Sequence, residues 1–448
     1  MEAEKHYSHS YSDEMKRLRL GDSMKKIAEW RERLLQAENN ASLVPMQSAW
    51  TFIRWIFFAC VIGIVVGGIG AGFHRAIVWV TEFRMEHPWI LFGLPFAGLL
   101  IVWLYQISDM SRDQGTNLVI ISVRDNAPLR LRTAPLIIVT TILTHLFGGS
   151  SGREGAALQM GSSISASVGR LMRLDDKDER IIKMCGMAAG FAALFGTPLT
   201  AAVFAMEVVS VGVMYYAAIV PCLLSALIAM MTANALGGHA EVFSIAAVLQ
   251  MTPLALGKVI VLGMLCALVA VFFCHVFNIV HHFYAKYLPN LYIRAAIGGC
   301  IMMIAGFLLG QDYVGTGMEV ISRAFVGHAH PAAFFIKIVL TAITLGAGFK
   351  GGEIVPALFA GATFGSFYGS FLGIPTSFAA GIGLTAVFCG VTNCPLTSIL
   401  LAYELFGGAG LPLIALACAV AYMLSGYSGL YHAQKILYSK MRPEYIAR

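Results

Sequence analysis

The sequence contains few charged residues. Lys, Arg, Asp and Glu together account for 12% of the 448 residues, whereas about 25% is usual in soluble domains. Hydrophobic residues account for 58%, and the mean hydropathy is +0.73. This composition excludes a soluble globular protein. It predicts an integral membrane protein, because apolar runs longer than the ~20 residues of a spanning helix recur along nearly the whole chain.

Several sequence patterns that indicate other protein classes are also absent. Segments of about ten residues with alternating polarity, typical of outer-membrane barrels, do not occur, so the chain is predicted to be an all-α polytopic membrane protein. No H-E-x-x-H or P-loop motif is present, which argues against an intramembrane hydrolase or another enzyme. The nine cysteines lie in apolar segments without metal-ligand spacing, so we expect no metal and no cofactor. The net charge of +6 comes from the chain ends and loops, which fits cytoplasmic flanks better than nucleic-acid binding.

The distribution of polar residues divides the chain into membrane and extramembrane parts. Residues 1–47 form a polar N-terminal segment, in which 23–38 are predicted to form an amphipathic helix on the cytoplasmic membrane surface; a solvated helix is the alternative. Residues 170–183 are predicted to form a charged cytoplasmic loop, 236–252 a connection, and 433–448 a basic cytoplasmic tail. The predicted apolar segments are 50–73, 89–107, 130–148, 184–235, 253–286, 291–310, 332–349, 356–386 and 396–427.

An internal repeat is the most informative feature of the chain. Glycines at the interruptions of the apolar segments recur after 200 residues, and a later Pro-Leu-Thr segment with its glutamate recurs after 197. The pairs include Gly148/Gly348, Gly152/Gly352, Gly161/Gly361 and Glu207/Glu404. We therefore expect two homologous membrane repeats, 48–235 and 253–432. If each crosses the membrane an odd number of times, the repeats are inverted and both termini lie on one side.

The two glutamates of the repeated Pro-Leu-Thr segments occupy equivalent places. We expect Glu207 and Glu404 to share a structural task, such as capping a helix or making a polar contact.

The interruption at residues 148–161 reads GGSSGREGAALQMG. Arg153 and Glu154, between Gly152 and Gly155, are costly at membrane depth unless they have a function. The glycines let the backbone approach a ligand, and the free N–H groups of a helix N-terminus suit an anion. We therefore predict that Glu154 guards an anion site; a structural carboxylate paired with Arg153 is the alternative. In inverted-repeat transporters broken helices of both halves meet at one site, which here brings together residues 115–117, 152–155 and 351–356.

Four motifs together resemble the CLC family of chloride channels and proton-coupled anion antiporters. They are GREG at 152–155, GGEIVP at 351–356, the pair GTPLTAAVFAMEV and TNCPLTSILLAYEL, and Gly429-Leu430-Tyr431. The resemblance covers essentially all of residues 50–435. It implies the CLC fold, with two inverted repeats of broken and tilted helices. It also implies a homodimer in the lipid bilayer of the inner (plasma) membrane, with both termini cytoplasmic and one anion pathway in each subunit.

The resemblance also implies roles for particular residues. The backbone N–H groups of Glu353, Ile354 and Val355 would face the anion, together with the hydroxyl of Tyr431. Glu154 would be the external gate: its carboxylate competes with the anion, and its protonated, neutral form swings aside. This exchange would couple the anion flux to a proton flux.

Four departures from the chloride-type motifs make the chain similar to the fluoride-exporting branch of the family. Thr116 stands where a coordinating serine is usual, and Ala156 replaces the proline after GREG. Glu353 replaces an apolar residue, and Val208 aligns with the inner proton-transfer glutamate. At Val355 the chain differs in turn from the threonine expected in that branch.

The physical chemistry of fluoride fits this assignment. Fluoride holds its hydration shell tightly, so its site needs strong, close donors, for which Thr116 and Asn117 are candidates. Because fluoride forms a weak acid that enters acidified cells in its neutral form, a proton-driven exporter is useful. We therefore expect a proton-coupled antiporter that exports fluoride. The alternative is a chloride channel or chloride/proton exchanger of the same family.

Structural interpretations of the predicted site residues stay open at this point. Arg153 either attracts anions or anchors the loop, and Glu353 is either a transport residue or an ion-pair partner of Lys350. Tyr431 is either an anion ligand or an interfacial aromatic residue. The hydroxyl of Thr116 contacts either the ion or its own helix.

Overall fold

A computed structural model describes residues 49–111, 113–238 and 243–447. These residues are predominantly helical, which confirms the prediction of an all-α polytopic membrane fold. They fall into two compact units, Met1–Phe57, of which only residues 49–57 are described, and Phe58–Arg448. The amphipathic helix predicted at 23–38 lies outside the described residues.

The helices follow one another with short connections. In chain order they are α1 (Ala49–Glu86), α2 (Leu94–Ile107), α3 (Thr116–Asp125), α4 (Thr133–Leu146), α5 (Glu154–Leu171), α6 (Asp176–Phe195), α7 (Pro198–Glu207), α8 (Ile219–Ala235), α9 (Pro253–Tyr287), α10 (Leu291–Leu309), α11 (Met318–Phe325), α12 (Ala333–Gly346), α13 (Ile354–Phe371), α14 (Thr376–Thr392), α15 (Pro395–Phe406) and α16 (Leu411–Leu424). Two short strands, β1 (Ser210–Val211) and β2 (Lys435–Ile436), form a parallel pair.

The lengths of these helices differ more than the apolar pattern indicates. In the part of the chain that the structure describes, six helical segments are long and apolar enough to cross a membrane, and several others, such as α7 and α15, are too short to cross alone. The predicted spans at 356–386 and 396–427 each contain a break, between α13 and α14 and between α15 and α16. Short, broken helices at membrane depth are tolerated where the protein itself surrounds them.

The predicted charged loop at 170–183 is wrong over most of its length. Helix α6 begins at Asp176, and the carboxylate of Asp175 accepts a hydrogen bond of 2.8 Å from the backbone N–H of Asp178. Acidic residues in a first helical turn are stabilised by the helix dipole, so the acidic residues at this position start a helix instead of extending a loop.

The two halves repeat the same order of helices, with α2–α8 corresponding to α10–α16. Helices α5 and α6 cross at Gly161 and Gly186, where a Cβ on Gly161 would lie 2.0 Å from the carbonyl oxygen of Gly186. Helices α13 and α14 cross in the same way at Gly361 and Gly383, with a corresponding distance of 2.2 Å. The predicted pairing of glycines across the repeat therefore has a packing reason: two backbones touch where only glycine fits. The domain boundaries proposed from the sequence stay predictions.

The halves also cap each other's helices. Glu207, at the end of α7, accepts hydrogen bonds from the N–H groups of Leu396 (3.1 Å) and Thr397 (2.9 Å) at the start of α15. Glu404 of α15 accepts bonds of 2.8 Å from the N–H groups at the start of α7. The prediction that these glutamates share a structural capping task is confirmed.

Candidate anion site

Two equivalent loops, one from each half, meet at the centre of the candidate site. The N–H of Gly152 donates to the carbonyl of Gly352 at 2.6 Å, and the N–H of Gly352 donates back to Gly152 at 2.7 Å. This reciprocal pair is an antiparallel bridge between positions related by the 200-residue shift. It fixes the starts of α5 and α13 beside each other, so two helix N-termini reach the same place.

The carboxylate of Glu154 lies at this meeting point. Glu154 is fully buried, and its Oε2 accepts hydrogen bonds from the backbone N–H of Arg153 (3.1 Å) and of Val355 (3.4 Å). Val355 belongs to the first turn of α13, so an acidic group from the first half is held by a helix N-terminus of the second half. The other oxygen, Oε1, is buried and has no hydrogen-bond partner among the described residues. The geometry is that of an anion bound at a helix N-terminus.

The loop before α3 contributes the third element. Thr116 is buried at the first position of α3, and a Cβ on Gly155 would lie 3.2 Å from its Oγ1 and 3.1 Å from the Cα of Gly352. The predicted meeting of residues 115–117, 152–155 and 351–356 is therefore confirmed. Asn117 is differently placed: its Oδ1 accepts a bond of 3.0 Å from the N–H of Ala433, which ties α3 to the C-terminal segment.

Tyr431 and Glu353 complete the polar lining. Tyr431 is 4% exposed, and its hydroxyl is buried without a hydrogen-bond partner among the described residues. Both Glu353 and Glu154 act electrostatically on this hydroxyl. Glu353 precedes the first residue of α13 and lines a cavity of about 550 Å³. The alternative interpretation of Glu353, as an ion-pair partner of Lys350, is not supported, because the ammonium of Lys350 lies beside Asp113.

The C-terminal segment is fixed by several backbone contacts. Strand β2 pairs with β1, and the N–H of Leu430 donates to Val391 at 2.8 Å. The side-chain amide of Gln434 donates to the carbonyl of Val208 at 3.0 Å and to that of Thr392 at 2.9 Å. Tyr431 is thus held in place although no regular helix carries it.

Two buried cations support the loops of the candidate site from behind. Lys337 is fully buried and donates to the carbonyls of Gly315 (2.7 Å) and Tyr313 (3.2 Å). Arg84 is 2% exposed and donates to the carbonyl of His145. These bonds satisfy backbone carbonyl groups that would otherwise be buried without a partner.

Sequence reasoning missed two polar residues near the site. Gln159 is 3% exposed; its Nε2 donates to the carbonyl of Gly155 at 3.1 Å, and its Oε1 is buried without a partner among the described residues. Its spacing of one helical turn from Gly155 was the available signal. The second is Asp113, which lies beside Lys350. Its position two residues before Gly115, at the 115–117 interruption, was the only indication in the sequence that it lies near the site.

Comparison with known proteins identifies the family. The profile of the voltage gated chloride channel family matches residues 97–426. A "Chloride/fluoride channel protein" of Pseudomonas syringae pv. tomato is 35% identical over 395 residues, which cover 86% of this chain and 87% of that protein.

Solved structures agree with this result. The crystal structure of a CLC-type fluoride/proton antiporter superimposes with a TM-score of 0.83 at 31% identity, covering 85% of this chain and 98% of that chain. The structure of a slow cyanobacterial Cl⁻/H⁺ antiporter has a TM-score of 0.72 at 22% identity over 83% of this chain and 94% of that chain, a likeness of fold alone. Together with the family profile and the sequence relative, these findings lead to one conclusion: this chain belongs to the CLC family of voltage-gated chloride channels and related anion antiporters.

Proposed function

We propose that the protein is a proton-coupled antiporter that exports fluoride, with Glu154 as its protonatable gate. The single observation that carries the proposal is the bond from the Val355 N–H to the Glu154 carboxylate. An anion that binds at the N-terminus of α13 must displace this carboxylate. Because the neutral acid is a poorer ligand than the carboxylate for the same N–H groups, protonation favours the exchange. One site then serves the anion and the proton alternately.

Three further groups lie where they can hold the anion once Glu154 leaves. The N–H groups at the start of α13, at Glu353, Ile354 and Val355, supply the helix N-terminus. The unpartnered hydroxyl of Tyr431 and the hydroxyl of Thr116 supply neutral donors. Gly152 and Gly155 leave room for close approach, since a Cβ on Gly152 would lie 2.3 Å from Glu154 Oε2. Arg153, which is 4% exposed, adds positive charge beside the gate.

Fluoride is favoured over chloride by the polarity of the lining. Thr116 brings a hydroxyl and Asn117 a side-chain amide to the lining, and a small, tightly hydrated ion needs such close donors more than a large one does. Two relatives, a chloride/fluoride channel protein and a CLC-type fluoride/proton antiporter, support the same substrate.

Glu353 is proposed to take part in transport. It lines the cavity and interacts electrostatically with Tyr431 and Glu154, and its carboxylate would pass protons to the gate in a chain where Val208 has no carboxylate. We further propose a homodimer in the inner membrane, with both termini cytoplasmic.

The experiment that tests the substrate is an efflux assay. Purified protein is reconstituted in liposomes loaded with fluoride or with chloride, and efflux is followed with ion-selective electrodes. We expect fluoride to leave far faster than chloride. Comparable rates for the two ions would refute the assignment of fluoride and favour a chloride transporter of the same family.

A further inference from the structure

The cavity beside the candidate site has a charged wall that the proposed gate does not use. Its volume is about 550 Å³, and it is lined by residues 113–117, by the second half of α9, by the loop before α13 and by residues of the C-terminal segment. Thr116, Asn117 and Glu353 belong to this lining. An ion in the cavity is therefore already in contact with the candidate anion site.

Basic and acidic side chains from separate elements share the cavity wall. Lys350, His281 and His432 line it together with the carboxylates of Asp113 and Glu353. Arg294, at the start of α10, acts electrostatically on Lys350. An ammonium in a concave site with low-dielectric surroundings attracts small anions.

The contact between Lys350 and Asp113 is unusually loose for a buried ion pair. The Lys350 Nζ lies 3.8 Å from Asp113 Oδ2, whereas charge-assisted N–H···O bonds close to about 2.7–2.9 Å. The Asp113 side chain is 1% exposed, and neither of its oxygens has a hydrogen-bond partner among the described residues. The ammonium is held instead over the ring of Tyr105, at 4.0 Å from its centroid. An ammonium has three donors, and none is committed to this carboxylate by a close bond.

We propose that Lys350 is the ammonium ligand of an anion-capture site in this cavity, and that Asp113 is the counter-ion with which the captured anion competes. The ligand is a small monovalent anion, which is fluoride if the proposed function is correct. The inference rests on that proposed function. The captured ion passes from Lys350 to the N-termini of α3 and α13, and the contact between Lys350 and Asp113 closes again behind it.

This arrangement predicts opposite effects for the two members of the pair. Removing the ammonium weakens anion capture, whereas removing the carboxylate frees the ammonium and strengthens it. A unit charge 4 Å away is worth ~1 kcal/mol even at the dielectric constant of water, so we expect changes in the apparent KM of at least about fivefold. A purely structural ion pair behaves differently, since loss of either partner then impairs the protein in the same direction.

The test measures fluoride transport with right-side-out and inside-out membrane vesicles, in which fluoride meets opposite faces of the protein. Lys350→Met is expected to raise the apparent KM for fluoride at one face of the protein, the face to which the cavity opens. Asp113→Asn is expected to lower it at that same face, with little change at the other face. Lys350→Arg, which keeps the charge, is expected to stay close to the parent. Arg130→Met is the matched control: it removes a cation from the exposed pair with Asp109 and is expected to leave KM unchanged.

Three results would overturn the inference: an unchanged KM in Lys350→Met, an increase in both Lys350→Met and Asp113→Asn, or a change of equal size at both faces. If Lys350→Met does not fold, the direction of the change in Asp113→Asn decides alone. Failure of the proposed function has a separate signature, because the parent protein then transports no fluoride at either face.

Discussion

The substitution Glu154→Gln tests the gate with the smallest change in shape. The carboxylate accepts two backbone bonds, from Arg153 (3.1 Å) and Val355 (3.4 Å). A charged acceptor contributes roughly 1 kcal/mol more per bond than a neutral one, so the glutamine holds the position about 2 kcal/mol less well. This difference corresponds to about a 30-fold increase in the affinity of a competing anion. The glutamine also has no titratable proton.

The expected result for Glu154→Gln is therefore twofold. Fluoride binding, measured by calorimetric titration of purified protein, becomes tighter, and proton movement driven by a fluoride gradient in liposomes disappears. Glu404→Gln is the matched control, since it makes the same chemical change in a carboxylate that caps α7, and it is expected to retain coupling. If fluoride still drives protons through the Glu154→Gln protein, the assignment of the gate is wrong.

Three further predictions concern stability and binding. Glu207→Ala removes three hydrogen bonds to Leu396 and Thr397 and should lower the free energy of unfolding by about 2–4 kcal/mol. Glu404 is less buried, so Glu404→Ala should lower it by only about 1–2 kcal/mol. Thermal unfolding in detergent measures both values. Equal losses would contradict the role of burial. Gly161→Ala should lower the free energy of unfolding by about 3 kcal/mol, because its Cβ would lie 2.0 Å from a carbonyl oxygen of α6. Gly72→Ala is the control and should be tolerated, since nothing lies within 4 Å of a Cβ there. Similar stabilities of the two variants would refute the close crossing. Tyr431→Phe removes no hydrogen bond within the described protein, so stability should be retained while fluoride affinity falls by roughly tenfold; unchanged affinity would exclude the hydroxyl as a ligand.

The repeat made the core of the site predictable from the sequence. An offset of 200 residues placed Gly152 opposite Gly352, and the structure joins these two residues by reciprocal hydrogen bonds. The offset of 197 placed Glu207 opposite Glu404, and each caps a helix of the other half. Symmetry-related positions meet near a two-fold axis, so a repeat in the sequence becomes a contact in space.

The breaks between helices were less visible. The turn between α13 and α14 contains Gly373, with φ of 62°, inside a segment that is apolar on both sides. Its counterpart between α5 and α6 places Arg173 at φ of 53°, among charged residues that resemble a loop. Equivalent turns of the two halves therefore have different sequences, one apolar and one charged. Hydropathy alone therefore predicts one continuous span where α13 and α14 are separate helices, and it predicts a loop where α6 begins.

Contacts between distant, unrelated positions could not be predicted at all. Lys350 and Asp113 come from loops of different halves that the repeat does not pair, and the bond from Gln434 to the carbonyl of Val208 depends on the path of the C-terminal segment. One sequence contains no signal for such pairs, because neither periodicity nor local spacing specifies which side chains face each other across the fold.

The most direct test of the central claim uses the unmodified protein in liposomes under an outward fluoride gradient, with a pH-sensitive dye to follow protons. We predict that fluoride leaving the liposomes drives protons inward, even against an opposing proton gradient, and that an equal chloride gradient does so far more weakly. Fluoride efflux with no accompanying proton movement would contradict it, since the protein would then be a channel and Glu154 would not couple the two ions.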